Sequence, residues 1–275
     1  MHGTLWTFEP VVVVWLVAFA AIYTGGLLRL WRSAGAGKGI SRRQAAAFAG
    51  GWLTLVVALM SPLDRLSDWL FSAHMIQHEL LMVVAAPLVA LSGPLVAATW
   101  MSKNRLQIPG RLYQPLTGVA TAPAFVWGLH AFVLWVWHVP VLFEAAMAHE
   151  PVHVFQHFSF FTTACLFWWG LGHGRYGRLG YGAAVFYLFA TGIHSGVLGA
   201  LLTFSPAIWY PVYTATTSAW GYTPLEDQQL AGLVMWIPAS LVFLAGGLGF
   251  LLAWLRESDR RSTQLAMRHQ PREGR

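Results

Sequence analysis

The sequence predicts an all-α polytopic membrane protein with seven transmembrane helices, its N-terminus outside and its C-terminus in the cytoplasm. Of its 275 residues, 56% are hydrophobic and only 10% are charged, whereas charged residues make up about a quarter of a soluble domain. The chain also holds 15 tryptophans, whose indole rings favour the membrane–water interface. Charge is segregated along the chain, and this segregation predicts the orientation of the helices.

Seven apolar runs are long enough for a membrane span, which needs about 20 mostly apolar residues. They cover roughly 10–31, 44–61, 70–100, 117–138, 151–171, 182–203 and 229–255. No Lys or Arg precedes the first run, so we interpret it as a retained span rather than a secretory signal. Pro87 and Pro94 are expected to kink or end the long third run, because proline lacks the N–H and clashes with the preceding turn.

With seven spans, sixteen of the seventeen basic residues lie on one side of the membrane: Arg29, Arg32, Lys38, Arg42, Arg43, Lys103, Arg105, Arg111, Arg175, Arg178, Arg256, Arg260, Arg261, Arg268, Arg272 and Arg275. Only Arg65 lies on the other side, with the acids Glu9, Asp64, Asp68, Glu144, Glu150, Glu226 and Asp227. Loops rich in Lys and Arg stay in the cytoplasm, which places the N-terminus outside.

Residues 1–255 are predicted to form a single domain, and 256–275 a basic cytoplasmic tail that is disordered. The loop 204–227 is aromatic and uncharged until its last two residues, which predicts a position at the outer interface, as a lid or as a docking surface. The single cysteine, Cys165, excludes an intramolecular disulfide and any two-cysteine metal motif.

Histidines recur at helical spacing inside two of the apolar runs. Eleven histidines should give roughly 0.4 pairs at i,i+4 by chance when matches are counted, yet the chain has His74/His78, His149/His153 and His153/His157. Residues four apart share one helix face, about 6 Å apart at Cβ, so that their imidazoles can bind one metal ion. His74/His78 and His153/His157 start at the same predicted depth.

Further polar residues fall in the same outer layer. His138 closes the fourth run, His194 lies within the sixth, and Asp227 opens the seventh. Polar groups inside a bilayer usually face the bundle interior and mark function. Most single histidines of this kind have a purely structural alternative as interhelical hydrogen-bond donors, and this applies above all to His130.

The residue types favour copper over other metals. Neutral imidazoles bind zinc, copper, iron and nickel, whereas thioethers select Cu(I). Met82 continues the 74, 78 stripe, Met75 follows His74, and Met235 lies in the seventh run. Packing is the alternative role for these methionines. Glu79 is expected to accept from an imidazole N–H or to carry a proton.

Four stretches resemble the multi-span CtaG family of cytochrome c oxidase assembly factors. They are "SPLDRLSDWLFSAHMIQHELLMVVAAPLVALSGP" (61–94), "WHVPVLFEAAMAHEPVHVFQHFSFFTTACLFWW" (137–169), "TGIHSGVLGALLTFSPAIWYP" (191–211) and "EDQQLAGLVMWIP" (226–238). The resemblance extends from about residue 45 to 255. The family's histidine positions correspond to His74, His78, His138, His153, His157 and His194, with Asp227 in the last motif. Two residues, Glu79 and Gln156, differ from the family's pattern. Each is next to an expected ligand in the sequence, so both differences affect the surroundings of the ligands rather than the ligands themselves.

The resemblance implies a multi-pass protein of the bacterial plasma membrane that is needed to assemble haem-copper oxidase. It implies copper delivery to the apo-oxidase subunit, at its CuB centre, with an external copper donor protein as a further partner. On this interpretation the protein is not an enzyme and binds no nucleic acid, and its affinity for a lipid bilayer follows from its spans. Zinc and haem are less favoured ligands.

Three other functions stay open at the level of the sequence. A haem-binding redox protein needs single histidines on facing helices, as His138 and His194 could provide, and would show a Soret band. A metal permease needs polar groups along the whole path, yet only His130 and Cys165 lie deeper. A scaffold that only holds oxidase subunits would not need the paired histidines.

Overall fold

The computed structural model describes residues 6–102, 122–173 and 180–269, with side chains to residue 264. These residues form helices and the described part of the chain has no β-strand, which confirms the all-α prediction. The helices are α1 (Pro10–Ala34), α2 (Arg42–Met60), α3 (Pro62–Ser67), α4 (Phe71–Glu79), α5 (Ala86–Leu91), α6 (Pro94–Met101), α7 (Pro123–Trp137), α8 (Pro140–Ala148), α9 (Glu150–His173), α10 (Tyr181–Phe204) and α11 (Pro224–His269). A π-helical segment, Leu80–Ala85, joins α4 to α5.

Several helices are long and apolar enough to cross a membrane, as predicted. They are Pro10–Ala34, Arg42–Met60, Phe71–Leu91, Tyr181–Phe204 and Pro224–Gln264. α7 and α8 qualify together as a sixth, although they meet at an angle of 73°. The seven-span count and the orientation stay predictions. Residues 117–121 of the fourth run and the basic loops 103–121 and 174–179 lie outside the described residues.

The third span is shorter than predicted, because it ends at Leu91 instead of residue 100. Gly93 adopts φ +75°, in the left-handed region that glycine tolerates. Pro94 then begins α6, in the first turn, where its missing N–H costs nothing. Pro87 does not end the span: the π-helical segment directly before it widens the turn with which its ring would otherwise clash.

The span Phe71–Leu91 is the central helix of the bundle. In its apolar stretch 61% of the residues are buried, against 17–39% in the four other spans that qualify alone. Side chains from other helices bind its backbone directly: the Trp168 indole of α9 donates to the Met82 carbonyl at 2.9 Å. Ionisable groups on this span therefore face protein rather than lipid.

Glycines allow α10 and α11 to approach closely. A Cβ atom on Gly232 would lie 2.6 Å from the carbonyl oxygen of Gly199 and would also collide with the Thr203 hydroxyl. Helices in membranes pack through such small residues, because close backbone approach supplies the van der Waals contact that holds them together. This contact orients α11, which carries Asp227 at its beginning.

Charge also divides the two ends of the bundle. At one end, here called the acidic end, the Thr7 hydroxyl donates to Asp64 at 2.6 Å, and Asp64 and Glu9 interact electrostatically with Glu150. At the opposite end, Arg29 donates to the carbonyl of Met101. Elements distant in sequence therefore bring like charges to the same end.

The last helix continues into the segment where the sequence predicts a disordered tail. α11 extends to His269, and an i,i+4 ion pair between Arg261 and Glu257, at 3.0 Å, supports the helix there. Exposed pairs of this kind stabilise a helix by about 0.3–0.5 kcal/mol. The division into one domain and a tail stays a prediction.

The contact between α10 and α11 predicts unequal effects of two glycine substitutions. Gly232→Ala should lower the free energy of unfolding by about 1–3 kcal/mol, because the new methyl forces the helices apart. Gly247→Ala on the same helix is the control, since no described atom beyond the neighbouring backbone of its own helix lies within 4 Å of its added Cβ, and it should be neutral or stabilising. Thermal unfolding in detergent micelles measures both, and equal midpoints would contradict the packing account.

Candidate metal centre

The two HxxxH pairs face each other across α4 and α9. The ring centroids of His74 and His153 are 5.2 Å apart, and those of His78 and His157 are also 5.2 Å apart. Within each helix the rings of a pair are 4.4 Å and 4.2 Å apart. His138, at the end of α7, adds a fifth imidazole at 6.1 Å from His78. We call these five residues the histidine cluster.

Three of the five are close enough to hold one ion together. His74, His78 and His157 each offer a nitrogen, and these nitrogens all lie within 4.8 Å of one another. Their side chains are only 0%, 1% and 7% exposed. Imidazole nitrogens from two helices are typical ligands of zinc and copper.

Buried nitrogens in the cluster have no hydrogen-bond partner. Among the described residues, none bonds to either ring nitrogen of His74 or His78, or to Nε2 of His138, His153 or His157. An unsatisfied buried polar atom costs about 1–3 kcal/mol, and native proteins rarely leave one without a reason. Several such nitrogens directed to one place fit a cation, because a metal ion accepts all their lone pairs at once.

The His138 ring is held in the orientation that a ligand needs. Its Nδ1 lies 2.7 Å from the carbonyl oxygen of Leu134. Since a carbonyl only accepts, Nδ1 carries the proton and Nε2 keeps a free lone pair inside the cluster. Metal-binding histidines are commonly fixed by such a bond on their other nitrogen.

A carboxylate from α11 holds the beginning of α4. Asp227 accepts from the backbone N–H of Phe71 at 2.6 Å, and from the N–H and hydroxyl of Ser72 at 3.2 and 2.5 Å. A negative charge at a helix N-terminus satisfies free N–H groups and complements the helix dipole. Both oxygens therefore bind the helix end that carries His74 and His78, and a place for Asp227 beside or in the ligand set stays a prediction.

Gln77 positions α4 from its other side, and the sequence analysis missed this role. Its amide donates to the carbonyl of Ala58 at 2.7 Å and to Asp64 at 2.8 Å. The Gln77 side chain is fully buried. In the sequence it lies between His74 and His78. Its position at i+3 from His74 was the one available signal, and the partners on α2 and α3 are visible only in the fold.

The aromatic loop between α10 and α11 lies against the acidic side of the cluster. The Tyr210 hydroxyl donates to the carbonyl of His138 at 2.8 Å, and the Tyr213 hydroxyl to that of Ser67 at 3.1 Å. Burial raises the pKa of both phenols, so each remains a protonated donor. The loop is therefore fixed in place by hydrogen bonds.

Aromatic rings fill the space between this loop and the imidazoles. The Phe143 ring lies 4.3 Å from that of Tyr210 and 5.1 Å from that of His74, centroid to centroid. Phe71 packs edge-on against Phe143 at 5.3 Å. These rings cover the cluster in the direction of the loop.

A cavity of about 330 Å³ reaches the cluster from the side, between α1, α2 and α9. His153 and His157 line it, its walls are mostly apolar, and Glu9, Asp64 and Glu150 line its end at the acidic end of the bundle. Burial raises the pKa of Asp64. Burial and the nearby charges of Asp64 and Glu9 raise the pKa of Glu150, which shows that the carboxylates lie close together.

The remaining predicted site residues lie in three different places. Gln156 is buried beside His74 and interacts with it, although no described residue makes a hydrogen bond of full geometry with its amide. Met75 is fully buried in the hydrophobic core. His194 is separate from the five imidazoles: it accepts from the Trp135 indole at 3.4 Å and packs against Trp127.

None of the five cluster imidazoles is among the described residues that line the cavity beside Glu79 and Met82, and a role for these two residues at the histidine cluster stays a prediction. Together with Met235 and His130 they line a second, smaller cavity. Glu79 follows His78 by one residue, which turns its side chain to another face of the helix. Met82 would lie on the 74, 78 stripe in a regular α-helix, but the π-helical segment from Leu80 changes the phase.

The chain is similar to three mycobacterial proteins. An uncharacterized protein of Mycobacterium leprae is 24% identical over 270 residues, which cover 94% of this chain and 40% of that protein. Uncharacterized proteins of Mycobacterium bovis and Mycobacterium tuberculosis are each 26% identical over 292 residues, covering 97% of the chain and 42% of theirs. The chain therefore spans about 40% of the length of these relatives. No solved structure matches it significantly.

The family profile matches most of the chain and both HxxxH pairs. It describes a cytochrome c oxidase caa3 assembly factor (Caa3_CtaG) and matches residues 21–257. The match includes all five imidazoles of the histidine cluster and Asp227, which holds α4. The chain belongs to the cytochrome c oxidase caa3 assembly factor family.

Proposed function

We propose that the histidine cluster binds copper and delivers it to the apo-form of haem-copper cytochrome c oxidase, at its CuB centre. The observation that carries this proposal is the set of buried ring nitrogens on His74, His78 and His157 that have no partner among the described residues. The family supplies the oxidase as the partner. CuB as the destination is the finer part of the proposal.

The residues of the cluster have separate tasks. His74, His78 and His157 hold the ion, and His138 and His153 lie close enough to take part when it enters or leaves. Copper bound there is the cargo of the protein. A site made of imidazoles from α4, α7 and α9 releases a metal more readily than a thiolate site, because small movements of one helix remove a ligand without breaking a strong metal–sulfur bond.

The proposed position in the membrane follows from length and charge. α9 has 24 residues, which makes it about 36 Å long and sufficient to span. Together with the five qualifying helices and the bent α7–α8 pair, it gives seven spans. The positive-inside rule then places the acidic end outside the bacterial plasma membrane, with His74 and His153 about one turn below it.

The side cavity offers a route to the cluster. Glu9, Asp64 and Glu150 would attract a cation at its mouth, and His153 and His157 line its inner part. The loop and the rings of Phe143 and Tyr210 cover the more direct path. This arrangement favours the loop as a lid over the site.

The structure gives a specific argument against bound haem. A bis-histidine haem would need His138 and His194 to face each other with a flat space between them. The His138 ring instead packs at 6.1 Å from both His78 and Phe160, while His194 packs against Trp127. Copper fits the arrangement of the imidazoles better.

The proposal predicts that the same substitutions remove copper and oxidase assembly together. His74→Ala and His157→Ala should each lower the copper content of the purified protein several-fold, because each removes one of three converging ligands. Cells that carry these variants should assemble little active oxidase. Elemental analysis and cytochrome c oxidation by isolated membranes measure the two effects.

His149→Ala is the matched control, because His149 is exposed and lies four residues before His153. It should leave copper content and oxidase activity unchanged. Full oxidase activity in cells whose protein lacks all four paired histidines would contradict the proposal and favour a scaffold.

Glu150 at the mouth of the cavity should affect the rate of loading but not the amount of copper bound. Glu150→Gln removes an exposed carboxylate at the mouth of the cavity, so the loading rate should fall several-fold at low salt and less at high salt. As the pH falls, Glu150 becomes protonated and the loading rates of wild type and variant should become equal. Because the pKa of Glu150 is raised, the two rates should converge at a higher pH than they would for an ordinary Glu. Stopped-flow loading measures the rate. An unchanged rate at low salt would exclude this route.

A further inference from the structure

The second cavity lies deeper in the bundle and has a different chemistry. Its volume is about 20 Å³, enough for a single ion or water, which needs about 10–15 Å³. Its polar and sulfur-containing lining residues are Glu79, Met82, His130, Thr191, Ser195 and Met235. None of the five cluster imidazoles is among the described residues that line it. It is therefore a separate site between the central helix, α7, α10 and α11.

Two methionines, Met82 and Met235, line this one small cavity. Met82 is 6% exposed and Met235 is 4% exposed, and both line the cavity. Met82 belongs to the π-helical segment, a form of helix that is rare and frequent at functional sites. The Trp168 indole binds its carbonyl, which fixes the segment in this position.

His130 lines the same cavity and keeps one ring nitrogen unprotonated. Its Nδ1 lies 3.4 Å from the Thr163 hydroxyl. That hydroxyl has one hydrogen and donates it to the carbonyl of Ser159 at 2.8 Å, so it accepts from Nδ1. The proton therefore resides on Nδ1, and Nε2 keeps its lone pair.

Glu79 supplies a carboxyl group without a partner. Its Oε2 is buried, and no described residue donates a hydrogen bond to it. An isolated charge in such a place is very costly, so the group needs a cation or a proton. A monovalent cation beside one carboxylate would leave the site electrically neutral.

We propose that this cavity is a second metal site, specific for the cuprous ion. Met82 and Met235 coordinate through sulfur and His130 through Nε2, while Glu79 balances the charge. Thioethers are soft ligands that select Cu(I) over zinc and other divalent ions, a selectivity that imidazoles alone do not provide. The proposal does not rest on copper binding at the histidine cluster, because the two sites share no ligand.

The test uses the full-length protein in detergent, loaded with Cu(I) under anaerobic conditions in competition with a chromophoric chelator. X-ray absorption should show sulfur as well as nitrogen neighbours around copper. In Met82→Leu/Met235→Leu the sulfur signal should disappear, and the bound Cu(I) should fall by about one ion per chain, since the exchange removes both soft ligands at nearly constant volume. Zinc binding should not change.

Met75→Leu is the matched control, because Met75 is equally buried and neighbours His74 but does not line the cavity. It should keep the full sulfur signal. Each single variant, Met82→Leu and Met235→Leu, should weaken the signal, which keeps the test valid if the double variant does not fold.

Two outcomes would overturn the proposal: no sulfur neighbour in the wild type, or a sulfur signal that persists in the double variant. If the wild type shows no sulfur neighbour, the cavity holds no copper, and a proton keeps the Glu79 carboxyl neutral instead. A variant without the four paired histidines separates the two sites: it should retain sulfur-bound Cu(I) even if the histidine cluster proves to bind nothing.

Discussion

The Asp227 carboxylate at the beginning of α4 is the interaction on which the site depends. It joins residues 156 positions apart, Phe71 and Asp227, and is itself 0% exposed. A bare carboxylate in this place would be strongly unfavourable, but three donors and the helix N-terminus compensate it. Because these hydrogen bonds fix the first turn of α4, they also determine where His74 and His78 point.

The rest of the site extends this constraint. Gln77 holds α4 against α2 and α3, and the close contact between Gly199 and Gly232 sets the position of α11, from which Asp227 comes. Both oxygens of Asp227 accept hydrogen bonds at the beginning of α4, whereas both ring nitrogens of His74 and of His78 have no partner among the described residues. This contrast separates residues that support the site from residues that are available to a ligand.

One helix presents two kinds of ligand because its geometry changes along its length. His74 and His78 lie on the regular turns of α4 and face α9. After Glu79 the π-helical segment rotates the chain, so that Met82 faces α7 and α11 instead. Pro87, which lies directly behind this segment, gives a physical reason for the wider turn. An imidazole-rich layer and a sulfur-containing layer result within about two turns of helix.

The sequence was sufficient for what depends on local pattern. Apolar runs predict the helices, and the spacing of His74/His78 and His153/His157, combined with charge, predicts two pairs at equal depth, which face each other in the structure. It was not sufficient for features that depend on tertiary contact or on helix phase. From the sequence alone Asp227 is a candidate ligand, because its partners on α4 are visible only in the fold. Met82 continues the helix face of His74 and His78 in a regular α-helix, and only the π-helical segment moves it off that face.

The measurement that tests the central claim most directly is an anomalous difference map, recorded at the copper edge from crystals of the full-length protein loaded with copper. The account predicts a peak between the rings of His74, His78 and His157, about 2.0–2.1 Å from each bound nitrogen, as is usual for metal–imidazole bonds. Copper found only at exposed residues such as His149, with no peak among these three rings, would contradict it.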